Sequence, residues 1–188
     1  MRILKLQMQM TINGYVAGPN GENDWITWNP DDEFWEFINS LIDSSDTILL
    51  GRKMTDEFMS HWENAVKNNP DNLFARKMVD TPKVVFTKTL DKSNWNNTTL
   101  AKGNLAEEIA NLKKQNGKDI LVYGGAGFVS SLIKEGLIDE YHLIVNPTVI
   151  SNGMTIFNSL NRTQKFSPIQ TKLYSGGKTV LSYKPKND

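Results

Sequence analysis

Twice along this chain, a short apolar run ends at glycine and passes directly into a helical pattern. The run 47–50 leads into Gly51, and the run 119–123 leads into the segment 124–127. Apolar runs of this kind are typical of parallel strands, which are buried on both faces of a sheet. Parallel neighbours need a crossover connection, which is usually a helix. The sequence therefore predicts an α/β protein built on a parallel sheet.

The remaining pattern extends this alternation and ends in a hairpin. Further strands are predicted at 3–10, 83–87, 98–100 and 140–146, and helices at 30–42, 52–62, 105–116 and 124–135. Asn29 is predicted to cap the first helix, with Pro30 at its first position. Two last strands, 169–174 and 179–183, flank the turn Ser175–Lys178, which is a hairpin signal. We expect one domain over residues 1–188, with a mixed, mostly parallel central sheet flanked by helices and a C-terminal antiparallel hairpin.

Composition narrows the class of function. Lys plus Arg and Asp plus Glu number 21 each, so the net charge is zero, which argues against a general nucleic-acid binder. With no cysteine and two histidines, no metal site is predicted. No run approaches the roughly 20 apolar residues of a membrane helix, and the N-terminus has no signal-peptide pattern. We expect a cytoplasmic protein that acts on a small molecule, without nucleic-acid or membrane partners.

The glycines after the two apolar runs are candidate phosphate sites. The segment 124–127 leaves backbone N–H groups and the positive end of a helix open to an anion. Its position and spacing are not those of the Rossmann fingerprint, and a tight turn without a ligand is the alternative. Gly51 is followed by Arg52 and Lys53, which are cations where a helix start favours acids. A solvated basic pair is the alternative there.

Two further features lie at predicted strand ends. Thr87 and Lys88 end the run 83–87, and ligands of open α/β sheets bind at such ends. The glycine-rich stretch 11–24 can close over a ligand and exclude water, or it can be a structural loop. Together these strand ends indicate a nicotinamide dinucleotide, with Arg52, Lys53 and Lys88 as countercharges to its phosphates. Hydride transfer needs neither a metal nor a nucleophile.

At this point the chain resembles the dihydrofolate-reductase-like superfamily, and specifically its riboflavin-biosynthesis reductase branch, the RibD C-terminal domain. The matching segments are Thr11–Ala17, Ile48–Thr55, Lys83–Thr87 and Val122–Phe157, which includes Gly136–Glu140 and Asn146–Pro147. The resemblance implies a homodimeric, NADPH-dependent reductase of a small heterocycle, of the pterin or ribosylated pyrimidine type, similar to 5-amino-6-(5-phosphoribosylamino)uracil reductase. The cofactor contacts that it implies are Val16 and Ala17 at the nicotinamide, Gly51, Arg52 and Thr55 at the phosphates, Thr87 and Lys88 at the adenosine phosphate, and Gly124, Gly125, Ala126, Gly127 and Phe128 at the pyrophosphate.

The substrate side offers acids and aromatic rings. Asp32 can occupy the place of the carboxylate that dihydrofolate reductases carry on their first helix, and Asp24 or Asp31 would serve as well. Each of these acids can equally be a cap or a loop residue. Trp25 and Trp28 lie in a predicted loop, where flat rings can stack on a heterocycle.

Two other functions stay open. One is dihydrofolate reduction proper. The other is a dimeric NADPH-binding sensor without turnover, because Thr11–Gly14 lacks the acid of the family signature Ser-Leu-Asp-Gly. His61 and His142 are assigned no role.

Overall fold

The computed structural model describes residues 1–186. In this part of the chain, eight strands form one mixed sheet with helices on both faces, which confirms the predicted class. The strands are β1 (Leu4–Thr11), β2 (Ser45–Gly51), β3 (Lys83–Phe86), β4 (Thr98–Ala101), β5 (Asp119–Gly124), β6 (Glu140–Asn146), β7 (Phe166–Leu173) and β8 (Thr179–Pro185). The helices are α1 (Asp32–Asp43), α2 (Arg52–Asn68), α3 (Leu73–Asp80), α4 (Leu105–Lys114) and α5 (Ala126–Lys134).

The strand order is β4-β3-β2-β5-β1-β6-β8-β7. The strands from β1 to β6 are mutually parallel, and β8 is antiparallel to both β6 and β7. The C-terminal ends of the parallel strands therefore lie at one edge of the sheet, which we call the carboxyl edge. Because β8 runs the other way, it begins at this edge, where Thr179 pairs with Val145.

Two apolar layers cover the sheet. Helices α4 and α5 pack on one face through Ile109, Val129 and Leu132. Helices α1, α2 and α3 pack on the other face, where the largest fully buried side chain is Phe34. Leu6 and Met8 of β1 face α4 and α5, so Gln7 and Gln9 point to the opposite layer by the alternation of a strand. Polar groups therefore lie within the α1 layer of the core.

The start of α1 differs from the prediction. Asp31, and not Asn29, is the N-cap, and its carboxylate accepts the Phe34 N–H at 2.7 Å. The same carboxylate accepts the Ser175 N–H and hydroxyl at 2.7 and 2.5 Å. The hydrogen bond from the Ser175 hydroxyl, with that from Phe34, lowers the pKa of Asp31. A contact 144 residues away in sequence thus adds to the local cap bond of Asp31.

The region after Trp62 is more helical than predicted. Helix α2 continues to Asn68, and the unpredicted helix α3 follows it. Asn72 caps α3 by accepting the Ala75 N–H at 3.0 Å. Its apolar face is short, with Phe74 and Met78 as its large buried residues, and packing against α2 stabilises it. No helix within residues 1–186 combines the length and the apolar character that a bilayer span requires.

Candidate functional site

The carboxyl edge brings the two glycine turns into contact. Strands β2 and β5 are neighbours, and Leu50 pairs with Gly124. A Cβ atom on Gly51 would lie 2.7 Å from the Cβ of Phe128, in the first turn of α5. From the other side, Met54 of α2 accepts the Gly125 N–H with its sulfur at 2.7 Å. The starts of α2 and α5 therefore form one continuous surface.

These two helices begin differently from the others. Among the five helices of residues 1–186, α1, α3 and α4 are capped by the side chains of Asp31, Asn72 and Asn104. Helices α2 and α5 follow Gly51 and Gly125, have no side-chain cap bond and carry no acid in the first turn. The first N–H groups of a helix have no intrahelical acceptor, and the helix dipole adds partial positive charge there. Both starts are therefore suited to bind anions.

Gly127 opens onto a cleft beside α5. The cleft has a volume of about 430 Å³ and lies between α5 and the segment 153–159. A Cβ atom on Gly127 would meet no protein atom within 4 Å. On the same wall, the buried Ser130 hydroxyl donates to Ser159 Oγ at 2.8 Å. The wall thus has polar groups and free space next to a helix start.

The predicted cations at the start of α2 are accessible. Arg52 donates to Asp56 at 2.8 Å, and its guanidinium carbon lies 5.2 Å from the centre of the Trp95 ring. Lys53 is exposed. Thr55, in contrast, is fully buried and donates its hydroxyl to the Gly51 carbonyl at 3.1 Å. The hydroxyl of Thr55 thus supports the turn, whereas the two cations are available to a ligand.

Thr87 and Lys88 follow β3 at the same edge, and both are engaged within the protein. The buried Thr87 hydroxyl accepts the N–H groups of Thr89 and Leu90 at 3.1 and 3.2 Å. The Lys88 ammonium donates to the carbonyls of Lys102 and Gly103, both at 2.8 Å. These bonds fix the turn after β3.

Val16 and Ala17 belong to a tethered segment, so the first part of the glycine-rich stretch is not a free lid. The Val16 N–H donates to the Met154 carbonyl, and the Met154 N–H donates to the Ala17 carbonyl, both at 2.8 Å. Ile12 N–H donates to the Thr148 carbonyl at 2.9 Å. The segment after β1 is therefore held against the segment after β6, next to the cleft that Met154 helps to line.

The predicted substrate-side residues are spread along the connection between β1 and α1. Trp25 is buried, with its indole N–H donating to the Glu22 carbonyl at 3.2 Å. Trp28 is 57% exposed and lies edge-on to Trp35, with 5.6 Å between ring centres. Asp24 and Asp32 are exposed. Trp28 is therefore the ring that is available for stacking, and Trp25 is a packing residue in this conformation.

A buried polar group at the carboxyl edge was not predicted. Asn146, the last residue of β6, is fully buried and donates to Gln9 Oε1 at 2.8 Å. The ammonium of Lys178 donates to Asn146 Oδ1, and Lys178 is itself only 1% exposed. Lysine is common in hairpin turns, so the sequence around Lys178 gave no signal for this group. The one signal was Asn146, a polar residue at the end of an apolar strand. Over residues 1–186, no three His, Asp or Glu side chains are placed to share a metal ion.

Comparison with known proteins identifies the family. The model of the RibD C-terminal domain matches residues 2–180. The chain belongs to the RibD C-terminal domain family. The chain is similar to the uncharacterized protein YyaP of Bacillus subtilis. The two are 33% identical over 186 residues, which are 97% of this chain and 94% of YyaP.

Solved structures of RibD-like proteins share the fold. A candidate riboflavin biosynthesis protein from Shewanella sp. PV-4 superposes with a TM-score of 0.72 at 22% identity, over 100% of both chains. A Thermotoga maritima protein, a diaminohydroxyphosphoribosylaminopyrimidine deaminase and 5-amino-6-(5-phosphoribosylamino)uracil reductase, gives a TM-score of 0.68 at 15% identity. The alignment covers 98% of this chain and 57% of that protein. The predicted resemblance and the dihydrofolate-reductase-like fold are confirmed.

Proposed function

We propose that this RibD-family chain is an NADPH-dependent reductase of a small heterocyclic substrate. The observation that carries the proposal is the pair of uncapped helix starts after Gly51 and Gly125, on neighbouring strands of the carboxyl edge. Neighbouring strands are about 4.8 Å apart, so the phosphates of one dinucleotide would span both helix starts. Membership of the RibD family, which is a family of reductases, supports the same activity.

The residues of the carboxyl edge can be assigned to successive parts of the proposed cofactor. Gly124–Phe128 would hold the pyrophosphate with backbone N–H groups, and the turn at Gly51 would contact the phosphates, with Arg52 and Lys53 as countercharges. Thr87 and Lys88 would shape the adenosine end through the turn that they fix. When bound, NADPH supplies a hydride. Val16 and Ala17 would face the nicotinamide, and their tethers to the segment after β6 would exclude water there.

We propose a pyrimidine or pterin substrate, in free or ribosylated form. The Thermotoga protein of the same fold reduces a ribosylated aminouracil, which supports a pyrimidine. Exposed Trp28 offers a flat ring next to the start of α1, and such rings stack on heterocycles. Reduction of a C=N or C=O bond also consumes a proton, which water or a carboxylate supplies. Asp32→Asn and Asp24→Asn test the carboxylates: loss of turnover with unchanged NADPH affinity identifies the donor.

The test separates cofactor binding from turnover. NADPH is titrated into the protein while tryptophan fluorescence is followed, and NADPH oxidation is then measured with dihydrofolate and with a ribosylaminopyrimidinone. We expect saturable quenching, with Arg52→Ala weakening the affinity about tenfold through loss of one charge-assisted hydrogen bond. Arg76→Ala is the matched control, because Arg76 is an exposed arginine of α3 whose side chain donates to the Pro70 carbonyl.

Four outcomes are informative. Oxidation with the pyrimidine supports the proposed activity, and oxidation with dihydrofolate alone makes the protein a dihydrofolate reductase. Binding without oxidation across a broad panel indicates a sensor. Absence of NADPH binding by the wild-type protein refutes the proposal. The family resemblance also implies a homodimer, which light scattering of the same preparation tests.

A further inference from the structure

A buried ammonium without a countercharge lies at the carboxyl edge, apart from the proposed phosphate site. Lys178 is 1% exposed, and its ammonium donates to Asn146 Oδ1. The ion pairs formed within residues 1–186 do not include Lys178. The ring of Phe34 lies 5.9 Å from the ammonium, which provides a weak cation–π contact. Burial lowers the pKa of Lys178, and no neighbouring carboxylate opposes that shift.

Lys83, the other fully buried lysine, serves as a comparison because its ammonium has hydrogen-bond acceptors. Lys83 is also 1% exposed, but its ammonium donates to the carbonyls of Val79 and Thr81 at 2.5 and 2.8 Å. Burial lowers the pKa of Lys83 to about 8, and the charges of Asp80 and Glu63 partly oppose that shift. Lys83 thus has two carbonyl acceptors and two nearby acids, and its role at the end of α3 is structural.

Lys178 has one neutral acceptor for three N–H donors and a full charge. That acceptor is fixed, because the Asn146 amide nitrogen donates to Gln9 Oε1 and turns its oxygen toward Lys178. Buried charges in proteins are normally paired, since an unpaired one carries a large desolvation cost. The ammonium therefore has unused capacity to bind an acceptor that the chain does not provide.

The position of Lys178 relates this capacity to the proposed reaction. Lys178 immediately precedes β8, three strands from β5 in the order β5-β1-β6-β8, which is about 14 Å from the phosphate turn at about 4.8 Å per strand. It lies on the α1 side of the sheet with Phe34. The site proposed for the phosphates and the ammonium are thus at separate points of one edge, with the ends of β1 and β6 between them.

We infer that Lys178, oriented by Asn146, binds an anionic oxygen of the substrate, in a planar group with a single negative charge such as a carboxylate or an ionised lactam. The inference rests on the proposed function for the place of the cofactor. One ammonium balances one charge, whereas a phosphate dianion would leave a buried negative charge.

Access runs through the contact between the hairpin and the segment before α1. A Cβ atom on Gly176 would lie 2.6 Å from the Asn29 carbonyl oxygen, so the two segments touch. The hydrogen bonds from Ser175 to Asp31 hold them together. A ligand of Lys178 would have to part these exposed polar contacts.

The test uses benzoate as the planar monoanion, benzamide as its neutral counterpart and phenyl phosphate as the dianion. Affinities are measured by calorimetry for the wild-type protein, with and without NADPH, and for Lys178→Met. We expect the wild type to bind benzoate about tenfold more tightly than benzamide or phenyl phosphate, the effect of one charged hydrogen bond. Lys178→Met should remove that preference. Lys184→Met, at an exposed lysine of β8, should retain it.

Asn146→Asp is the second variant, because it supplies a carboxylate to Lys178 from within the protein. It should fold, as judged by circular dichroism, and lose the preference for benzoate. Equal affinities for benzoate and benzamide in the wild type, or an unchanged preference in folded Lys178→Met or Asn146→Asp, would overturn the inference. NADPH quenching is recorded separately for each protein. Its absence counts against the proposed cofactor and leaves the benzoate result to decide the role of Lys178.

Discussion

Gly127→Ala distinguishes the effect of Gly127 on stability from its effect on binding of the proposed cofactor. Gly127 lies in the first turn of α5, and an added Cβ atom would meet nothing within 4 Å. Its φ is not among the positive values found in this chain, so alanine fits the backbone without strain. Alanine in a helix is favoured over glycine by roughly 0.5–1 kcal/mol. For a chain of this size the melting temperature should rise by about 1–4 °C.

The same substitution should weaken NADPH binding. A Cβ atom at position 127 projects into the space where a phosphate would approach the N–H groups of α5. Loss of one charge-assisted hydrogen bond costs about 1.5–3 kcal/mol, which is about a 10- to 150-fold increase in Kd. A more stable protein that binds its ligand less well is a combination that a purely structural glycine would not produce.

The assay pairs thermal unfolding with NADPH titration of tryptophan fluorescence. Ser131→Ala is the matched control, since Ser131 is an exposed residue one turn further along α5 whose hydroxyl donates to the Gly127 carbonyl. It also raises helix propensity, but it adds no atom to the first turn, so its NADPH affinity should equal that of the wild type. If Gly127→Ala binds NADPH as tightly as the wild type, the start of α5 is not the phosphate site.

Three further predictions concern stability, and urea unfolding measures each. Gly51→Ala should lose about 1–3 kcal/mol, because its Cβ would lie 2.7 Å from that of Phe128; an unchanged midpoint would show that α5 can shift. Asn104→Ala should lower the free energy of unfolding by about 0.5–2 kcal/mol, because it removes two cap bonds. Unaltered stability would show that water replaces these bonds. Burial lowers the pKa of His142 from 6.5 to about 4, so the unfolded chain takes up a proton over this range that the folded protein does not. The free energy of unfolding should fall by at most about 3 kcal/mol as pH drops from 6.5 to 4, and His142→Asn should flatten this pH profile. An identical slope in the variant would show that other groups cause the pH dependence.

The elements that local pattern determines were predicted well. Strand β6 spans Glu140–Asn146 as predicted, because it is an apolar run between turn signals. Helix α4 likewise begins at Leu105 as predicted. Helix α3 was missed because its two large apolar anchors, Phe74 and Met78, are too few for a periodic signal. Short helices of this kind are stabilised by tertiary packing, which a single sequence does not display.

The candidate site was predictable only in its parts. The glycines at positions 51 and 124 have a local signature, since each ends an apolar run. Their contact depends on β2 and β5 being neighbours, although two strands lie between them along the chain. Strand order is set by the packing of the crossover helices, so no local pattern encodes it. Lys178 and Asn146 show the same limit, because their pairing needs β6 and β8 side by side.

Departures from local rules concentrate at the carboxyl edge. The other helices are capped by side chains, as at Asn72 and Asn104, and the buried Lys83 has its acceptors. At the edge, two helices begin without a cap, and Lys178 is buried without a countercharge. Each arrangement disfavours the ligand-free protein, and negatively charged groups of a ligand would compensate all of them. The two uncapped helix starts and the buried lysine lie at one edge and all favour negative charge. One anionic ligand explains them better than three unrelated packing defects do.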